Sequence, residues 1–280
     1  MLQNIKGDLL GFDMPKIMGI LNVTPDSFYD GGKYSEIKGA LKQVGTMMEE
    51  GADIIDIGGY SSRPGAAEVS AQEELDRLLP LIEQIAGNFP EAVISVDTFR
   101  ARVAEEAIRS GAHIINDIGG GNLDEQMFAT VAKLKVPYIL MHSRGTPKTM
   151  QRQTDYRDLI KEILVDLIEK VTLLRALDVK DIIIDPGFGF AKTLDQNYEL
   201  LNRIEELKIL GLPILGALSR KSMIYKFLGN SPMEALNGTT VLNTLLLTKG
   251  VNIIRVHDVK AANEVRKLVQ KTTMIEFSNI

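Results

Sequence analysis

Cysteine is absent from the 280 residues of this sequence. That absence excludes a disulfide framework, thiolate catalysis, iron–sulfur ligation and cysteine zinc sites. The sequence also lacks any uncharged apolar run of about 20 residues, and its first residues show no basic region followed by an apolar stretch. We therefore expect a soluble, cytoplasmic protein with no membrane partner.

An excess of positive charge is also missing. The 32 Lys and Arg residues stand against 37 Asp and Glu residues, for a net charge of −5, so we expect no nucleic-acid partner. Histidine occurs only three times, and His113, His142 and His257 fall in different apolar runs, which leaves no paired histidines for a zinc site. The glycines of DPGFGF lack the GxGxxG spacing of a dinucleotide site.

Short apolar runs rich in Ile and Val recur along the chain, and a turn and a helical pattern follow each of them. The runs are IMGILN (17–22), DIIDIGG (53–59), AVISVD (92–97), HIINDI (113–118), VPYILMH (136–142), DIIIDPG (181–187), PILGALS (213–219) and NIIRVH (252–257). They have no polar face, which is typical of parallel strands buried on both sides. Ser70 followed by Glu73 has the spacing of a capping box before the second helix.

Eight such units in about 250 residues predict a single (β/α)8 TIM barrel, because an open doubly wound sheet usually has fewer strands. No linker separates the units, so we expect one domain over residues 1–280. The first 14 residues, with Gly7 and Gly11 as turn points, are predicted to form a hairpin that closes the barrel bottom.

Polar residues stand where the predicted strands end, which is where a barrel carries its active site. They are Asn22, Asp56, Asp97, Asn116, Asp117, His142, Asp185, Ser219, Arg220, Lys221, Arg255 and His257. Asp56, Asp117 and Asp258 are interpreted as turn or helix-cap residues. Lys221, Arg255 and His257 cannot cap a helix N-terminus, because the helix dipole would repel them. A polar pocket accounts better for the whole set.

The residue types indicate what such a pocket would bind. Asp97, Asn116, Asp185 and Lys221 suit a flat, uncharged heterocycle with several donors and acceptors. Arg63, Arg255 and His257 suit a phosphate or pyrophosphate at the rim, and Asn22 is a candidate ligand of Mg²⁺ carried in on that phosphate. The alternative is that these cations balance the carboxylates as structural ion pairs.

The same residues, in the same order, resemble the dihydropteroate synthase family over positions 17 to about 260. The strings that carry the resemblance are MGILNVTPDSFYDGG, DIGGYSSRPGA, VDTF, INDI, MH, DPGFGF, SRKS and RVHDV. The resemblance implies a transferase of folate biosynthesis that condenses 6-hydroxymethyl-7,8-dihydropterin pyrophosphate with p-aminobenzoate. The implied products are 7,8-dihydropteroate and pyrophosphate, with Mg²⁺ as cofactor and sulfonamides as competitors.

The resemblance also implies residue roles. It assigns the pterin to Asp97, Asn116, Met141, Asp185, Lys221 and Arg255, the pyrophosphate to Ser62, Arg63, Arg255 and His257, the aminobenzoate to Phe28, Arg63, Pro64, Phe190 and Ser222, Mg²⁺ to Asn22, and catalysis to Asp97, Lys221, Arg255 and His257. Tyr29 and Tyr60 depart from the family pattern, and we expect them to affect loop packing rather than the reaction.

Two other functions remain open from the sequence. A folate-dependent methyltransferase would share the ring pocket but would not need a pyrophosphate site, so the SSRPG loop and the Arg255/His257 pair disfavour it. A barrel that only binds a pterin predicts binding without product. The apolar helix within SPMEALNGTTVLNTLLLTKG corresponds to a dimer contact in the family, which implies a homodimer, although it could equally pack on the barrel.

Overall fold

The computed structural model describes residues 2–5, 8–23, 32–60, 69–146 and 148–273. Ten strands lie in these residues. They are β1 (Leu2–Ile5), β2 (Asp8–Gly11), β3 (Lys16–Asn22), β4 (Ile54–Gly58), β5 (Val93–Asp97), β6 (Ile114–Asp117), β7 (Tyr138–Met141), β8 (Ile182–Asp185), β9 (Leu215–Gly216) and β10 (Ile253–Val256). Seven of the eight predicted apolar runs contain one of the strands from β4 to β10, and β3 begins one residue before the run 17–22.

Strands β3 to β10 form one parallel sheet in the order β8-β7-β6-β5-β4-β3-β10-β9. The two ends of this order meet through a parallel bridge between Ile184 and Ile214, where the Ile184 amide donates to the Pro213 carbonyl at 2.9 Å. This contact closes the sheet, so the predicted (β/α)8 barrel is confirmed and the doubly wound alternative is wrong. That residues 1–280 form a single domain stays a prediction.

Helices follow the strands in alternation. They are α1 (Gly32–Glu49), α2 (Ala71–Asn88), α3 (Ala101–Arg109), α4 (Met127–Leu134), α5 (Leu159–Ala176), α6 (Leu194–Arg203), α7 (Ser222–Leu228), α8 (Leu236–Thr248) and α9 (Val259–Thr273), with shorter 3-10 turns at Met150–Arg152, Ile204–Leu210 and Pro232–Glu234. The predicted capping box is present, because Ser70 and Glu73 each accept a hydrogen bond from the other's backbone amide. Within the described ranges, no helix is both long enough and apolar enough to cross a membrane.

The bottom of the barrel is closed by apolar side chains. Strands β1 and β2 pair antiparallel as the predicted hairpin, in which Gly11 ends β2 rather than forming a turn. Phe12 follows directly and packs into a buried cluster from the first residues of the barrel strands. The other members of this cluster are Met18, Ile54, Ile114, Ile139, Ile183, Leu215, Ala217 and Ile253. The interior of the barrel is therefore apolar at this end, and the opposite, carboxyl end of the strands is open to a polar site.

We expect Phe12→Ala to destabilise the fold by ~3–5 kcal/mol, because it opens a cavity in this cluster. The exposed Leu268 on α9 provides the control, since Leu268→Ala should change the free energy of unfolding by no more than about 0.5 kcal/mol. Urea denaturation followed by circular dichroism measures both values. Equal, small losses in the two variants would show that Phe12 does not seal the barrel.

Candidate active site

Parallel pairing brings the predicted pterin residues together at the barrel mouth. Asp97 ends β5 and lies in register with Gly58 on one side and Asn116 on the other. Met141 and Asp185 end the next two strands in register with each other. Asn116, Met141 and Asp185 are almost fully buried, so these groups face a confined space rather than open solvent.

Arg255 reaches across the mouth from β10 to two carboxylates. Its Nε donates to Asp56 Oδ2 at 2.6 Å, and one of its terminal nitrogens donates to Asp97 Oδ2 at 2.7 Å. The Asn116 amide donates to the same Asp56 oxygen at 3.1 Å. Because Asp56 is wholly buried and binds these two side chains, its interpretation as a turn or helix-cap residue is wrong. In this structure the cation Arg255 does balance the carboxylates, as the alternative proposed.

Burial sets the protonation behaviour of this cluster. It raises the pKa of Asp97 to about 7, with a further increase from the Asp56 carboxylate, although Arg255 opposes the shift. Burial also raises the pKa of Asp185, against the attraction of Lys221. The pKa of Lys221 is lowered to about 8, chiefly because its ammonium is withdrawn from water. The site therefore holds groups that exchange protons near neutral pH.

One acceptor in the cluster is unused. Asp56 Oδ1 is buried and makes no hydrogen bond to any described part of the chain. A buried carboxylate oxygen without a partner is costly, and a donor that reached it would remove the penalty. The mouth of the barrel is thus better suited to a ligand with N–H groups than to an apolar one.

The DPGFGF segment after β8 forms one wall of the site. The Phe190 amide donates to the Gly187 carbonyl at 3.1 Å, which closes a turn over residues 187–190. Phe188 is fully buried in the core, whereas Phe190 lies 4.9 Å from the Lys221 Nζ, measured to the ring centroid. The Lys221 ammonium also donates to the Phe188 carbonyl. Phe190, which the sequence predicts as an aminobenzoate residue, therefore lies beside Lys221, whereas Phe188 belongs to the core.

His257 and Ser222 lie at the rim. The His257 Nδ1 is 3.0 Å from the Ser219 hydroxyl, and the His257 amide donates to the same oxygen at 3.1 Å. His257 is exposed, and Ser222 begins α7 directly after Lys221. His257 therefore stands directly after β10, as the sequence predicts, and Ser222 is the first residue of α7.

His142 differs from the other strand-end residues because it is buried beneath the site. Its Nδ1 lies 3.1 Å from the Lys192 ammonium. Burial, with help from Lys192, Lys170 and Arg144, lowers the pKa of His142 to about 2, so the imidazole is neutral. The sequence offered no reason to single out Lys192, which follows the turn and is also buried.

The two other aspartates interpreted as turn or cap residues behave differently from each other. Asp117 accepts hydrogen bonds from the Gly119 and Gly121 amides and from the Tyr138 hydroxyl, which confirms its turn role. Asp258 instead accepts two hydrogen bonds from the Arg220 guanidinium at 2.7 and 2.8 Å. Its carboxylate thus forms an ion pair, while its backbone carbonyl accepts a hydrogen bond from the Ala262 amide in the first turn of α9, which is the position of a helix cap.

Several predicted site residues lie outside the described residues. They are Phe28, Ser62, Arg63 and Pro64, together with the departing Tyr29. Tyr60 is described and packs edge-on against Phe99 with ring centroids 5.3 Å apart. Tyr60 thus makes this contact two residues after the end of β4.

Asn22 is the predicted metal ligand. It is exposed at the end of β3, and its amide makes no hydrogen bond within the described part of the chain. In the same part of the chain no three His, Asp or Glu side chains are grouped to hold a metal. A single neutral oxygen fits a Mg²⁺ ion that keeps waters and shares its coordination with a substrate phosphate.

Comparison with known proteins agrees with this geometry. The family model described as pterin binding enzyme matches residues 18–257. Dihydropteroate synthase from Synechocystis sp. is 47% identical over 255 residues, which cover 90% of this chain and 88% of that protein.

Solved structures agree as well. The Yersinia pestis dihydropteroate synthase in a sulfonamide drug complex superposes with a TM-score of 0.91 at 42% identity, over 98% of this chain and 99% of that one. The Xanthomonas albilineans enzyme in complex with 7,8-dihydropteroate gives a TM-score of 0.89 at 33% identity, over 99% and 100% of the two chains. The barrel, the buried polar mouth and these likenesses together establish that the chain belongs to the pterin-binding enzymes and, among them, to the dihydropteroate synthase family.

Proposed function

We propose that the barrel mouth joins 6-hydroxymethyl-7,8-dihydropterin pyrophosphate to p-aminobenzoate, releasing 7,8-dihydropteroate and pyrophosphate. The observation that carries the proposal is that Asp97, Asn116 and Asp185 lie buried or half-buried at the barrel mouth, with two of their carboxylates near enough to Lys221 to act on its charge. A pterin presents an edge of N–H donors and a carbonyl, which matches carboxylate acceptors facing an ammonium donor. The bound dihydropteroate of the Xanthomonas albilineans relative supports the same chemistry.

The bond between the pterin methylene and the pyrophosphate oxygen breaks, and its electron pair leaves with the pyrophosphate. The amine nitrogen of aminobenzoate then bonds to the methylene and releases one proton. Asp97 stabilises the cationic pterin, while Arg255, His257 and Arg63 stabilise the charge that develops on the leaving group. Such preorganised charges commonly supply the largest share of catalysis. Since Arg255 is held by Asp56 as well as Asp97, it keeps one anchor when Asp97 turns to the pterin.

Mg²⁺ is the proposed cofactor, with Asn22 as its protein ligand. When bound, the ion would neutralise charge on the pyrophosphate oxygens. Ser62, Arg63 and His257 are proposed to bind the same group directly.

The aminobenzoate is proposed to lie nearer the surface than the pterin, against Phe28, Arg63, Pro64, Phe190 and Ser222. Phe190 supplies an aromatic face beside the Lys221 ammonium, which suits a ring with a polar substituent. A sulfonamide would compete for the same place, in line with the sulfonamide complex of the Yersinia pestis relative.

A second copy of this chain is the proposed partner. Large apolar side chains are exposed on α7, on α8 and on the turn between them, including Phe227, Met233 and Val241. Exposed apolar side chains on elements that pack against one another are typical of a protein interface. The cytoplasmic location expected from the sequence stays a prediction.

The direct test of the activity is incubation of the pure protein with the pterin pyrophosphate, Mg²⁺ and p-aminobenzoate, followed by mass analysis. Dihydropteroate that appears only with all three components supports the proposal. Binding of the pterin without any product would identify a pterin-binding barrel instead.

We expect Asp185→Asn and Lys221→Ala to weaken pterin binding by at least tenfold, because each removes a charged hydrogen bond worth about 1.5–3 kcal/mol. Thermal stability should change much less, since Asp185 ends β8 and Lys221 directly precedes α7, and neither side chain belongs to the apolar core. The matched control is Lys226→Ala, an exposed position on α7, the helix that follows Lys221. Calorimetric titration measures pterin binding, and a thermal melt measures stability. Variants that lose much of their stability while their folded fraction still binds pterin normally would contradict the pocket assignment.

Chelation should abolish turnover without lowering the melting temperature of the substrate-free protein. The reason is that the protein offers one oxygen ligand and relies on the substrate for the rest. Scanning calorimetry with and without chelator measures the effect. A large fall in melting temperature would indicate a structural metal instead.

Met233→Glu and Val241→Glu should each halve the particle mass in solution, because a buried unpaired charge opposes association. Leu173→Glu on α5, which is also exposed, serves as the control and should leave the mass unchanged. Sedimentation equilibrium gives the mass directly. An unchanged mass in both test variants would place the interface elsewhere or show a monomer.

A further inference from the structure

Lys192 is a buried lysine for which the reaction proposed above has no use. Only 4% of the residue is exposed. Its ammonium donates to the Gly187 carbonyl at 3.0 Å and to the Phe190 carbonyl at 3.1 Å, and it lies 3.1 Å from His142 Nδ1. The neutral His142 is therefore an acceptor, so all three N–H groups of the ammonium have partners.

Two of these partners are the first and last carbonyls of the 187–190 turn. The turn is already tight, because the Gly187 backbone has a φ of +73°, and a Cβ there would lie 2.1 Å from the His142 carbonyl oxygen. The third partner, His142, belongs to the end of the neighbouring strand β7. Lys192 thus ties both ends of the turn to the barrel wall.

The turn connects the two halves of the site. Asp185 precedes it and accepts a hydrogen bond from the Gly187 amide at 2.7 Å. Phe190 ends it and forms the described wall of the proposed aminobenzoate subsite. Asp185 is held by its strand in any case, whereas the direction of Phe190 depends on the turn.

We propose that Lys192 is a positioning residue whose ammonium fixes the 187–190 turn and so aligns the aminobenzoate wall with the pterin pocket. It touches neither substrate. The inference rests on the proposed function, because its principal effect is on the affinity for aminobenzoate.

The proton on Lys192 strengthens all three contacts. A neutral amine has only two N–H groups and no charge, so it binds the two carbonyls more weakly, and its lone pair can face His142 only if the imidazole moves its own proton to Nδ1. Burial lowers the pKa of Lys192 to about 7, although the Asp185 carboxylate opposes the shift. The other ionisable groups near the ammonium are His142, Arg144, Asp166 and Lys221. The Michaelis constant for aminobenzoate should therefore rise as the pH increases through about 7.

Lys221 ionises nearby, with a pKa lowered to about 8, and it binds the proposed pterin. The effects of the two lysines are distinguished by keeping the pterin pyrophosphate and Mg²⁺ at saturation while the concentration of aminobenzoate is varied. Under those conditions Lys192→Met should raise the Michaelis constant for aminobenzoate on the order of tenfold, because a wall displaced by a fraction of an ångström misaligns the ring. The affinity for pterin pyrophosphate should stay nearly unchanged. Lys260→Met, an exposed position on α9, is the matched control.

A second variant tests the proton itself. The chain has no cysteine, so Lys192→Cys can be alkylated in denaturant with 2-bromoethylamine and refolded. The thiolate displaces bromide and restores a lysine-length side chain whose ammonium is more acidic than that of lysine. At acid pH the alkylated protein should recover the low Michaelis constant for aminobenzoate. As the pH increases, this constant should begin to rise at a lower pH than in the unsubstituted protein. The unalkylated protein should not recover, and this comparison holds even if Lys192→Met does not fold.

Three results would overturn the inference. One is a folded Lys192→Met protein with unchanged Michaelis constants, and another is an equal loss of both substrate affinities. The third is an alkylated protein whose pH profile coincides with that of the unsubstituted chain, since a merely structural lysine would not move that profile. If the unsubstituted chain itself makes no dihydropteroate, the proposed function fails, which is a distinct outcome.

Discussion

The guanidinium of Arg255 joins strands that are distant in the chain but close together in the sheet. It lies 199 residues from Asp56 and 158 residues from Asp97, yet it donates to both carboxylates. A buried cation between two buried anions is tolerable only when each finds its partners, so the strands that carry them must end at the same height. The register of β4, β5 and β10 is thus as much a requirement of the polar mouth as of the apolar core.

The segment after β8 also depends on cationic side chains, which here bind backbone carbonyls rather than carboxylates. Its backbone turns back sharply and leaves carbonyl groups that no strand or helix satisfies. The Lys192 ammonium takes two of them, and the Lys221 ammonium takes the carbonyl of Phe188. Two lysines therefore do for this turn what hydrogen-bonded neighbours do for a strand, and they leave its aromatic ring free to face the site.

The sequence predicted the strands well because runs of Ile and Val without a polar face have few other structures open to them. It also placed Asn116 and Asp185 correctly, because both stand at the carboxyl end of a strand and all these ends lie at the same rim of a parallel barrel. Asp56 was misassigned because an aspartate that starts a turn and one that binds a distant arginine look the same locally. Lys192 was missed for a related reason. Its burial depends on how two loops and a strand end meet, and no local pattern encodes that meeting.

The sealed floor formed by Phe12 and its neighbours has a kinetic consequence. A site that is closed at the bottom is entered from the carboxyl end of the barrel, so the ligand that binds deepest must bind first and leave last. Ligands then bind and leave in sequence, and a new pterin cannot bind until the joined product has left. Exchange of ligands, rather than bond formation, becomes a natural point at which the throughput of such a barrel is set.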